Sequence, residues 1–469
     1  MQDSFPAHIR CDDKGNVLVQ SVSDHLRNTA RSASSLAEET GLSSTLKLAG
    51  LLHDMGKYSD DFKEYITKAF RKEKVVRGSV NHTFAGVQYL LNEHHAQLSP
   101  NVLPCEIIAY ACGAHHGLFD CVKDDGTNEF ERRRLDDTIP MQECRERFNQ
   151  YCASDEEMDL LYIQACDEIN GVLKEIKSIG KDRSTCYFLT GMLTRLICSF
   201  LIEGDRRDTA SFMNDAVFSE PVSVKKWEEL SEKVDLKINR LSETAPKNGI
   251  NHCRETISQT CKEAASLPSG IFRLNVPTGA GKTLSSLRYA LNHAARHGKR
   301  RIIFTTPLLS ILEQNADVIK NTIEDDEIIL EHHSNLVIEN ETEDVVKSHE
   351  LLVETWDSPI IITTLVQLLN TMFSGTTSSI RRFRSLCNSV VVIDEVQTVP
   401  RKMLSLFNLA ISFLAKCCHT TFVLCSATQP LLEEAHRPIL THITDMVPWE
   451  KELWEPFHRT DIVDEHGIW

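Results

Sequence analysis

An adjacent histidine and aspartate, His53 and Asp54, stand at the end of a predicted amphipathic helix and could together bind a metal ion. Apolar residues recur before them at helical spacing over residues 46–52, and Gly56 is typical of a left-handed turn after a helix. Lys57 lies three residues after Asp54, so a continuing helix returns it to the same face. The pair alone is a weak signal, because His–Asp pairs also occur by chance.

Further histidines and an aspartate follow in a fixed order on other helical stretches. The whole set is His25, His53, Asp54, His82, His115, His116 and Asp205. Any one of these histidines alone is more often an ordinary core or surface residue, but the ordered set indicates a metal site. Imidazole ligands favour Mn, Fe, Co or Ni over Mg²⁺. Two ions about 4 Å apart can bind the attacking and leaving oxygens of a phosphodiester. Histidines without this ordered context are left out of the site: His8, His94, His95, His332 and His333.

This ordered set resembles the HD-domain phosphohydrolase superfamily. The resemblance implies that the seven residues of the set are ligands of two divalent transition-metal ions. It also implies that Lys57 neutralises the scissile phosphate, which makes Asp54 and Lys57 catalytic residues.

Residues after about 266 show a different pattern, in which short β-rich apolar runs alternate with helical stretches. That pattern is typical of a parallel α/β sheet. The first predicted strand, 271–276, leads into a glycine-rich loop and a helix. Backbone N–H groups of such a loop surround phosphates, Lys282 reaches the β and γ phosphates, and Thr283 holds Mg²⁺. The predicted nucleotide-contacting residues are Thr278, Gly279, Ala280, Gly281, Lys282, Thr283 and Asp394.

A second buried strand, 390–393, ends in two acidic residues. Asp394 is placed to hold the Mg²⁺ through water, and Glu395 to orient and deprotonate the attacking water. Gln397 follows at the position where the related motif usually has histidine. After the next predicted strand, the hydroxyl groups of Ser426-Ala427-Thr428 could link the nucleotide site to motion of the domain.

These residues look like the motor of superfamily 2 helicases, and Thr306–Ile311 and Thr363–Gln367 resemble its strand-contacting segments. An HD domain ahead of such a motor resembles the helicase–nuclease of type I CRISPR systems, with Ile271–Gly279 most similar to subtype C. The resemblance implies recruitment by an RNA-guided surveillance complex. The displaced single strand of an R-loop would then be nicked at the HD site and pulled through the motor at the expense of ATP bound with Mg²⁺.

The predicted fold is an all-α HD domain followed by an α/β RecA-like domain with a parallel sheet. We place the HD domain at residues 1–235, a linker and lead-in helix at 236–265, and the first RecA-like lobe at 266–469. No second set of strands follows, so we expect either a fragment or a second lobe on a separate chain. On that basis we expect ATP binding with feeble turnover, no processive unwinding and intact metal-dependent nuclease chemistry.

Composition restricts the remaining possibilities. The net charge of −16 argues against a protein that coats nucleic acid by neutralising phosphates. Basic clusters at 132–134, 299–301 and 381–384 could bind nucleic acid locally, although such clusters are more often solvated faces. The start of the chain has no signal-peptide pattern, and the most apolar run, 193–202, is too short to span a bilayer. We therefore expect a cytoplasmic prokaryotic protein with no membrane contact and, without C-x-x-C pairs, reduced cysteines.

Two other functions fit parts of the pattern. One is an HD phosphohydrolase that acts on a nucleotide, with the ATP-binding domain as its regulator. The fused motor and its strand-contacting segments argue against this reading. The other is a non-enzymatic ATP-binding partner of the surveillance complex, which would bind that complex without a metal and cleave nothing.

Overall fold

A computed structural model describes residues 3–76, 78–96, 99–218, 220–333, 352–427, 432 and 435–458. The chain forms two compact units. The first contains Met1–Ser219 and also Thr371–Arg384, and the second contains Glu220–Asn370 and Ser385–Trp469. The chain therefore leaves the second unit after residue 370 and returns to it at residue 385. The domain limits drawn from the sequence, at residues 235 and 266, stay predictions.

Helices dominate the first unit and alternate with strands in the second. The main helices are α1 (Val22–Leu36), α2 (Ser43–Leu52), α3 (Asp60–Phe70), α4 (Phe84–His94), α5 (Val102–Ala114), α6 (Glu129–Arg134), α7 (Met141–Tyr151), α8 (Asp155–Ile179), α9 (Arg183–Asn214), α10 (Val224–Thr244), α11 (Gly249–Ala264), α12 (Lys282–His297), α13 (Leu309–Ile323), α14 (Leu365–Phe373), α15 (Thr377–Phe383), α16 (Leu404–Cys417) and α17 (Lys451–Trp454). The strands are β1 (Pro6–Cys11), β2 (Val17–Ser21), β3 (Ile271–Asn275), β4 (Arg301–Thr306), β5 (Ile329–His332), β6 (Ile360–Thr364), β7 (Ser389–Ile393), β8 (Thr421–Ser426) and β9 (Ile443–Asp445).

The first unit is organised around the 32-residue helix α9, against which α1, α2, α5 and α8 pack. The apolar run 193–202 forms the buried centre of this helix. By length and composition α9 is the one described helix that could cross a bilayer, but 67% of its apolar window is buried inside the protein. A buried core helix meets the same criteria.

An antiparallel hairpin, β1–β2, precedes the helices of the first unit. The prediction of an all-α region is wrong at this point. The side chain of Asp12 closes the turn by accepting hydrogen bonds from the backbone N–H groups of Lys14 and Asn16. Val17 and Val19 on β2 are more than half exposed, so the strand lacks the strongly buried face that a sequence pattern would reveal.

The second unit contains a seven-stranded sheet in the order β5-β6-β4-β7-β8-β3-β9, with parallel pairing throughout. The predicted parallel α/β fold is confirmed, and the three-residue edge strand β9 is an addition that the sequence did not indicate. Every residue of β7 is buried, as expected for a central strand covered on both faces. Because β8 lies between β7 and β3, the carboxyl ends of all three strands meet at one edge of the sheet.

Candidate metal centre and nucleotide site

Four separate helices and one loop of the first unit bring the predicted metal ligands together. His25 lies on the second turn of α1, and Asp205 lies on α9. His53 and His115 are the residues that follow α2 and α5, and His82 precedes α4. Asp54 and His116 come next in the chain after His53 and His115. The seven side chains therefore converge on one point although 180 residues separate the first from the last.

One half of the cluster joins two histidines and two aspartates, whose candidate ligand atoms all lie within 4.8 Å of one another. Nε2 of His25 and Nε2 of His53 lie 3.4 and 3.5 Å from Oδ2 of Asp54. The same nitrogens lie 3.7 and 3.8 Å from Oδ1 of Asp205. This is a compact set of two nitrogen and two oxygen donors.

The other half of the cluster uses the second oxygen of Asp54. Oδ1 of Asp54 lies 3.2 Å from Nε2 of His115 and 3.8 Å from Nε2 of His82. His82 and His116 approach each other through their Nε2 atoms at 3.3 Å. Because Asp54 contributes one oxygen to each half, the arrangement fits two cations bridged by this carboxylate.

Hydrogen bonds to the backbone fix the tautomer of three of these histidines. Nδ1 of His53, His82 and His115 lies 2.9, 3.1 and 2.7 Å from a carbonyl oxygen two or three residues earlier in the chain. A carbonyl only accepts, so Nδ1 carries the hydrogen, and in the neutral ring Nε2 presents its lone pair to the cluster. Such bonds to the far nitrogen are a regular feature of metal-binding histidines.

Several atoms at the centre of the cluster are buried polar atoms without a hydrogen-bond partner. They include Nε2 of His53, Nε2 of His115 and Oδ1 of Asp54, all in side chains that are almost completely buried. Buried polar groups are normally satisfied, because an unmade hydrogen bond in the interior costs about 1–3 kcal/mol. Cations bound in the two halves would satisfy these atoms, so the residues fit a metal centre.

The carboxylates of the cluster are strongly favoured in their ionised form. Burial raises the pKa of Asp54, but Lys57 and the adjacent imidazoles outweigh burial and hold that pKa well below its ordinary value. The pKa of Asp205 is lowered, against its burial, by the nearby imidazoles, chiefly that of His53. Conversely, burial lowers the pKa of His53, while the two carboxylates outweigh it and raise that pKa.

The two histidines on the more open side are held neutral. The proximity of His115, followed by burial, lowers the pKa of His116 to about 3. Burial lowers the pKa of His82. Neutral imidazoles are the form that binds metals. His116 is exposed and His82 is partly exposed. The cluster is therefore open to solvent on the side of these two histidines.

Lys57 lies at the centre of the cluster in direct contact with an aspartate. Its ammonium group is 2.7 Å from Oδ2 of Asp54, and the lysine side chain is only 6% exposed. The predicted return of Lys57 to the face of Asp54 is therefore observed. Its contact with a scissile phosphate stays a prediction.

Gly56 follows the His–Asp pair for a reason different from the one expected. It lies in a 3₁₀ turn, Met55–Tyr58, and its φ angle is not positive. The prediction of a left-handed turn is wrong at this residue. A Cβ atom here would lie 2.3 Å from the carbonyl oxygen of His82, to which the backbone N–H of Gly56 donates a hydrogen bond. Glycine allows the chain segments that carry Asp54 and His82 to approach.

Sequence reasoning missed two residues that support His25. Oδ2 of Asp208, one turn after Asp205 on α9, lies 2.6 Å from Nδ1 of His25. Nε2 of Gln20 donates to both carboxylate oxygens of Asp208 at 3.0 Å. A carboxylate behind a histidine orients the ring and makes its other nitrogen a better metal ligand. The i, i+3 spacing of Asp205 and Asp208 was the signal available in the sequence.

His8 also lies beside the cluster, although the sequence analysis excluded it. Its ring packs edge-on against His25, with ring centroids 4.9 Å apart. Burial, together with the charge of Lys57, lowers the pKa of His8 to about 2. His8 lies on β1, in the hairpin that the sequence did not predict. Its position beside the cluster was therefore not predicted either.

In the second unit, the glycine-rich loop joins the end of β3 to the start of α12 as predicted. Gly279 and Gly281 have φ angles of +88° and +81°, a conformation that residues with a Cβ rarely adopt. Lys282 and Thr283 are the first two residues of α12, so the loop N–H groups and the helix N-terminus lie together. Oγ1 of Thr283 donates to Oδ1 of Asn315 on α13 at 3.1 Å. Asn315 was not predicted as part of this site.

The predicted catalytic acids of the second unit contact the loop lysine. Nζ of Lys282 lies 2.9 Å from Oδ1 of Asp394 and 2.5 Å from Oε1 of Glu395. Burial lowers the pKa of Lys282, but the two carboxylates outweigh it and raise that pKa. Burial likewise raises the pKa of Glu395, and hydrogen bonds from Lys282 and Gln397 outweigh it and lower that pKa. The single positive charge of Lys282 thus compensates part of the negative charge of the two carboxylates.

Gln397 connects two motifs of the nucleotide site. Its amide nitrogen donates to Oε2 of Glu395 at 2.5 Å, and its amide oxygen accepts from Oγ of Ser426 at 2.8 Å. The glutamine therefore links the residues that follow β7 to the end of β8. Thr428, also assigned to this link, lies outside the described residues. The segments after β4 and β6, Thr306–Ile311 and Thr363–Gln367, start at the same edge of the sheet, and their contact with DNA stays a prediction.

The three basic clusters differ in exposure, and Arg132 of the first is a solvated side chain, 62% exposed, as expected of such clusters. Arg132 and Arg133 bind Glu129 on their own helix, and Lys299 is buried with its ammonium group on Ser269. Arg381, Arg382 and Arg384 are at most 6% exposed. The third cluster is therefore part of the interior of the first unit.

The chain matches two known families in the order that the sites suggest. Residues 22–136 match the HD domain family, and residues 254–436 match the DEAD/DEAH box helicase family. A segment is 26% identical over 182 residues to the CRISPR-associated nuclease/helicase Cas3 of Haloferax volcanii, covering 34% of this chain and 19% of that protein.

Two crystal structures of T. fusca Cas3, one of them described as Cas3-ATP, have folds similar to this one. The TM-score is 0.50 in each case, at 17% and 16% identity, over 91% of this chain and 50% of those chains. At such identities the similarity concerns the fold alone. The chain spans about half the length of these structures, since the match covers 50% of them. The two family matches, in this order, show an HD domain followed by a DEAD/DEAH box helicase domain in this chain.

Proposed function

We propose that the first unit is a metal-dependent endonuclease that cleaves single-stranded DNA. The observation that carries this proposal is the pair of ligand groups sharing Asp54, with buried ligand atoms that no hydrogen bond satisfies. His25, His53, Asp54 and Asp205 would hold one ion, and Asp54, His82, His115 and His116 the other. Ions bound there would supply Lewis acidity and lower the pKa of a water molecule between them.

The side chains of the centre contribute positioning and charge. Backbone hydrogen bonds and Asp208 keep four imidazoles turned toward the two ion positions. The more open side, at His82 and His116, admits a phosphodiester. Lys57, whose ammonium group lies 2.7 Å from Asp54, would contact and neutralise a phosphate oxygen of the substrate. The predominance of imidazole supports Mn, Fe, Co or Ni rather than Mg²⁺.

We further propose that the second unit binds ATP with Mg²⁺ and acts as a helicase motor. The loop from Thr278 to Thr283, with Gly279, Ala280 and Gly281 between, would surround the phosphates. Lys282 would exchange its carboxylate partners for phosphate oxygens, which frees Asp394 to hold Mg²⁺ and Glu395 to orient water. A shift of Glu395 on nucleotide binding would be transmitted to β8 through the hydrogen bonds of Gln397 with Glu395 and Ser426.

The proposed setting is type I CRISPR interference in a prokaryotic cytoplasm, with subtype C as the specific assignment. The name of the Haloferax volcanii relative and the order of the two family matches support the CRISPR setting. The substrate would be the displaced single strand of an R-loop, presented by an RNA-guided surveillance complex. The net charge of −16 supports delivery by a partner rather than capture of free DNA.

Cleavage of circular single-stranded DNA with Mn²⁺ tests the proposal, because a circle has no ends and so requires endonuclease action. We expect cleavage by the unmodified chain, loss of cleavage in His53→Ala and Asp54→Ala, and normal cleavage in His95→Ala. His95 is a suitable control because it pairs with Glu106 away from the cluster. Hydrolysis of dGTP with no cleavage of the circle would instead support a nucleotide phosphohydrolase with an ATP-binding regulator.

A further inference from the structure

A buried carboxylate on α9 lies two residues before the candidate ligand Asp205 and binds three arginines. Glu203 is completely buried. Its oxygens lie 2.7 Å from Nε of Arg207, 2.5 Å from Nε of Arg381 and 3.1 Å from a terminal nitrogen of Arg384. Arg207 belongs to α9 itself, but the other two arginines belong to the segment 371–384. An ion pair buried in this way holds its partners in a fixed geometry, because separating them leaves an uncompensated charge in the interior.

Two further residues of α9 attach the same segment. Oγ of Ser199, one turn before Glu203, donates to the carbonyl oxygen of Arg381 at 3.0 Å and accepts from the backbone N–H of Arg384 at 2.9 Å. Arg195, another turn earlier, donates to two backbone carbonyl oxygens of the segment at 3.0 and 2.7 Å. Residues at i, i+4 and i+8 share one helix face. One stripe of α9 is therefore bound to segment 371–384 along three turns.

The adjacent face of α9 packs against α1, which carries His25. A Cβ atom at Gly204 would lie 2.8 Å from the Cβ of Ala33, so the two helices are in close contact there. Asp205 and Asp208 follow directly and both approach His25. The position of α9 along and around its axis thus determines where Asp205 and Asp208 lie.

Segment 371–384 also reaches the other ligand group. Oγ1 of Thr377 lies 3.4 Å from the carbonyl oxygen of His116 and donates to it. The segment therefore contacts the backbone of one candidate ligand and the helix of another. These residues fall inside the 254–436 match to the helicase family, although they are folded into the first unit.

We propose that Arg381 and Arg384 are positioning residues of the metal centre, acting through Glu203 on the placement of Asp205 and Asp208. The inference rests on the proposed metal-dependent function of the cluster. It assigns the basic cluster 381–384 to the support of the metal site, where a surface location would have suggested binding of DNA.

Mn²⁺ affinity of the full chain, measured by calorimetry or by electron paramagnetic resonance, tests the proposal. We expect Arg381→Gln to weaken Mn²⁺ binding about tenfold, the range found when residues behind metal ligands are changed. Arg381→Lys keeps the charge and should recover most of the affinity. The kcat for DNA cleavage should fall in Arg381→Gln with little change in KM, because the substrate-binding surface is untouched.

Arg288→Gln is a matched control from the second unit. Arg288 is as buried as Arg381, and its Nε lies 2.6 Å from Oδ1 of Asp235. This variant loses a comparable buried ion pair and should lower the melting temperature while leaving Mn²⁺ affinity unchanged. This control therefore shows whether a loss of stability alone can weaken Mn²⁺ binding.

Each result has a distinct meaning. Failure of the unmodified chain to bind Mn²⁺ would overturn the proposed function itself. Binding by the unmodified chain with an unchanged dissociation constant in Arg381→Gln would overturn the inference alone. If Arg381→Gln does not fold, Ser199→Ala, which removes only one hydroxyl group, serves in its place. We then expect a twofold to fivefold weaker dissociation constant, and an unchanged one overturns the inference.

Discussion

The metal centre and the nucleotide site handle buried charge in opposite ways. In the metal centre, ligand atoms of His53, His115 and Asp54 are buried without hydrogen-bond partners. In the nucleotide site, Lys282 is bound to both Asp394 and Glu395. The first site is arranged in advance for a cation. In the second, the lysine is paired with two carboxylates and would exchange these partners for phosphate oxygens.

This difference follows from how the two sites are built. The metal centre is assembled from residues within and at the ends of helices packed in a core, and the surrounding apolar residues fix their positions. The nucleotide site is one loop and two strand ends at a sheet edge, where a lysine side chain can change partners without moving the backbone. Rigid support suits a fixed pair of ions, and exchangeable pairs suit a ligand that binds, reacts and leaves.

The largest expected effect comes from Asp54→Asn. The change removes the charge shared by both ligand groups, so Mn²⁺-dependent cleavage should fall at least about 10³-fold. ATP affinity should not change. Cleavage rates and Mn²⁺ binding measured on the same preparation check this result. Full cleavage by the variant would contradict the bridging role.

Lys282→Ala should weaken ATP binding about 100-fold, because phosphate oxygens lose their main cation and two carboxylates lose their counter-charge. Cleavage of circular single-stranded DNA should remain unchanged. Fluorescent nucleotide titration measures the affinity, with Lys320→Ala as control because Lys320 pairs with Glu331 outside the loop. Equal loss of nuclease activity would show that the two sites are not independent in this way.

Asp208→Asn should weaken Mn²⁺ binding about 10-fold to 100-fold, since His25 loses the carboxylate that orients its ring. The predicted loss is smaller than that of Asp54→Asn because no ligand atom is removed. Calorimetric titration with Mn²⁺ provides the number. An affinity equal to that of the unmodified chain would mean that packing alone holds the ring.

Gln397→Ala should slow ATP hydrolysis about fivefold and leave ATP affinity nearly constant, because the residue contacts Glu395 and Ser426 rather than the phosphate loop. Gln397→His should restore the rate, since an imidazole can bridge the same two groups. Steady-state ATPase assays distinguish these outcomes. A change in affinity without a change in rate would count against the bridging role.

The smallest effect concerns acid stability of the second unit. Burial, with the charges of His297 and Lys299, lowers the pKa of His293 to about 3, which is opposite in direction to His53. The unfolded chain binds a proton near pH 6.5 that the folded unit excludes. The stabilisation is therefore complete above that pH and is lost progressively as pH falls from about 6.5 toward 3. We expect a loss of about 0.7 kcal/mol between pH 7 and pH 6.

Urea unfolding followed by tryptophan fluorescence measures this loss selectively, because all five tryptophans of the chain follow residue 226. His293→Gln should reduce the pH dependence, and the matched variant at an exposed histidine, His252→Gln, should retain it. An identical slope in both variants would locate the titration elsewhere.

The sequence was sufficient to predict both folds and most of the candidate site residues, but not all of them. The order of histidines and aspartates along successive helical stretches was enough to select seven side chains. The structure brings these seven side chains together. The loop before Lys282 was evident because its parts are contiguous. Asp208 was missed because its contact with His25 depends on how α9 packs against α1. His8 was missed because it reaches the cluster through a hairpin with no strong strand pattern.

No local sequence pattern predicts that residues 371–384 belong to the first unit. The segment begins within α14 and ends before β7, so it interrupts a stretch that otherwise belongs to the second unit. Arg381 and Arg384 resemble any surface basic cluster until a buried acid, Glu203, is found 180 residues earlier. Pairing of this kind is a property of tertiary structure, and only the fold reveals it.

The excursion of residues 371–384 into the first unit has a consequence for chain cleavage. A single protease cut near residue 220 would break the direct connection between the units without freeing either product. The first product would still enclose a stretch that is covalently continuous with the second. Release would require separating Arg381 and Arg384 from Glu203, which would keep only Arg207 of the three arginines bound to it. Nicked protein should therefore migrate as one species until it is denatured.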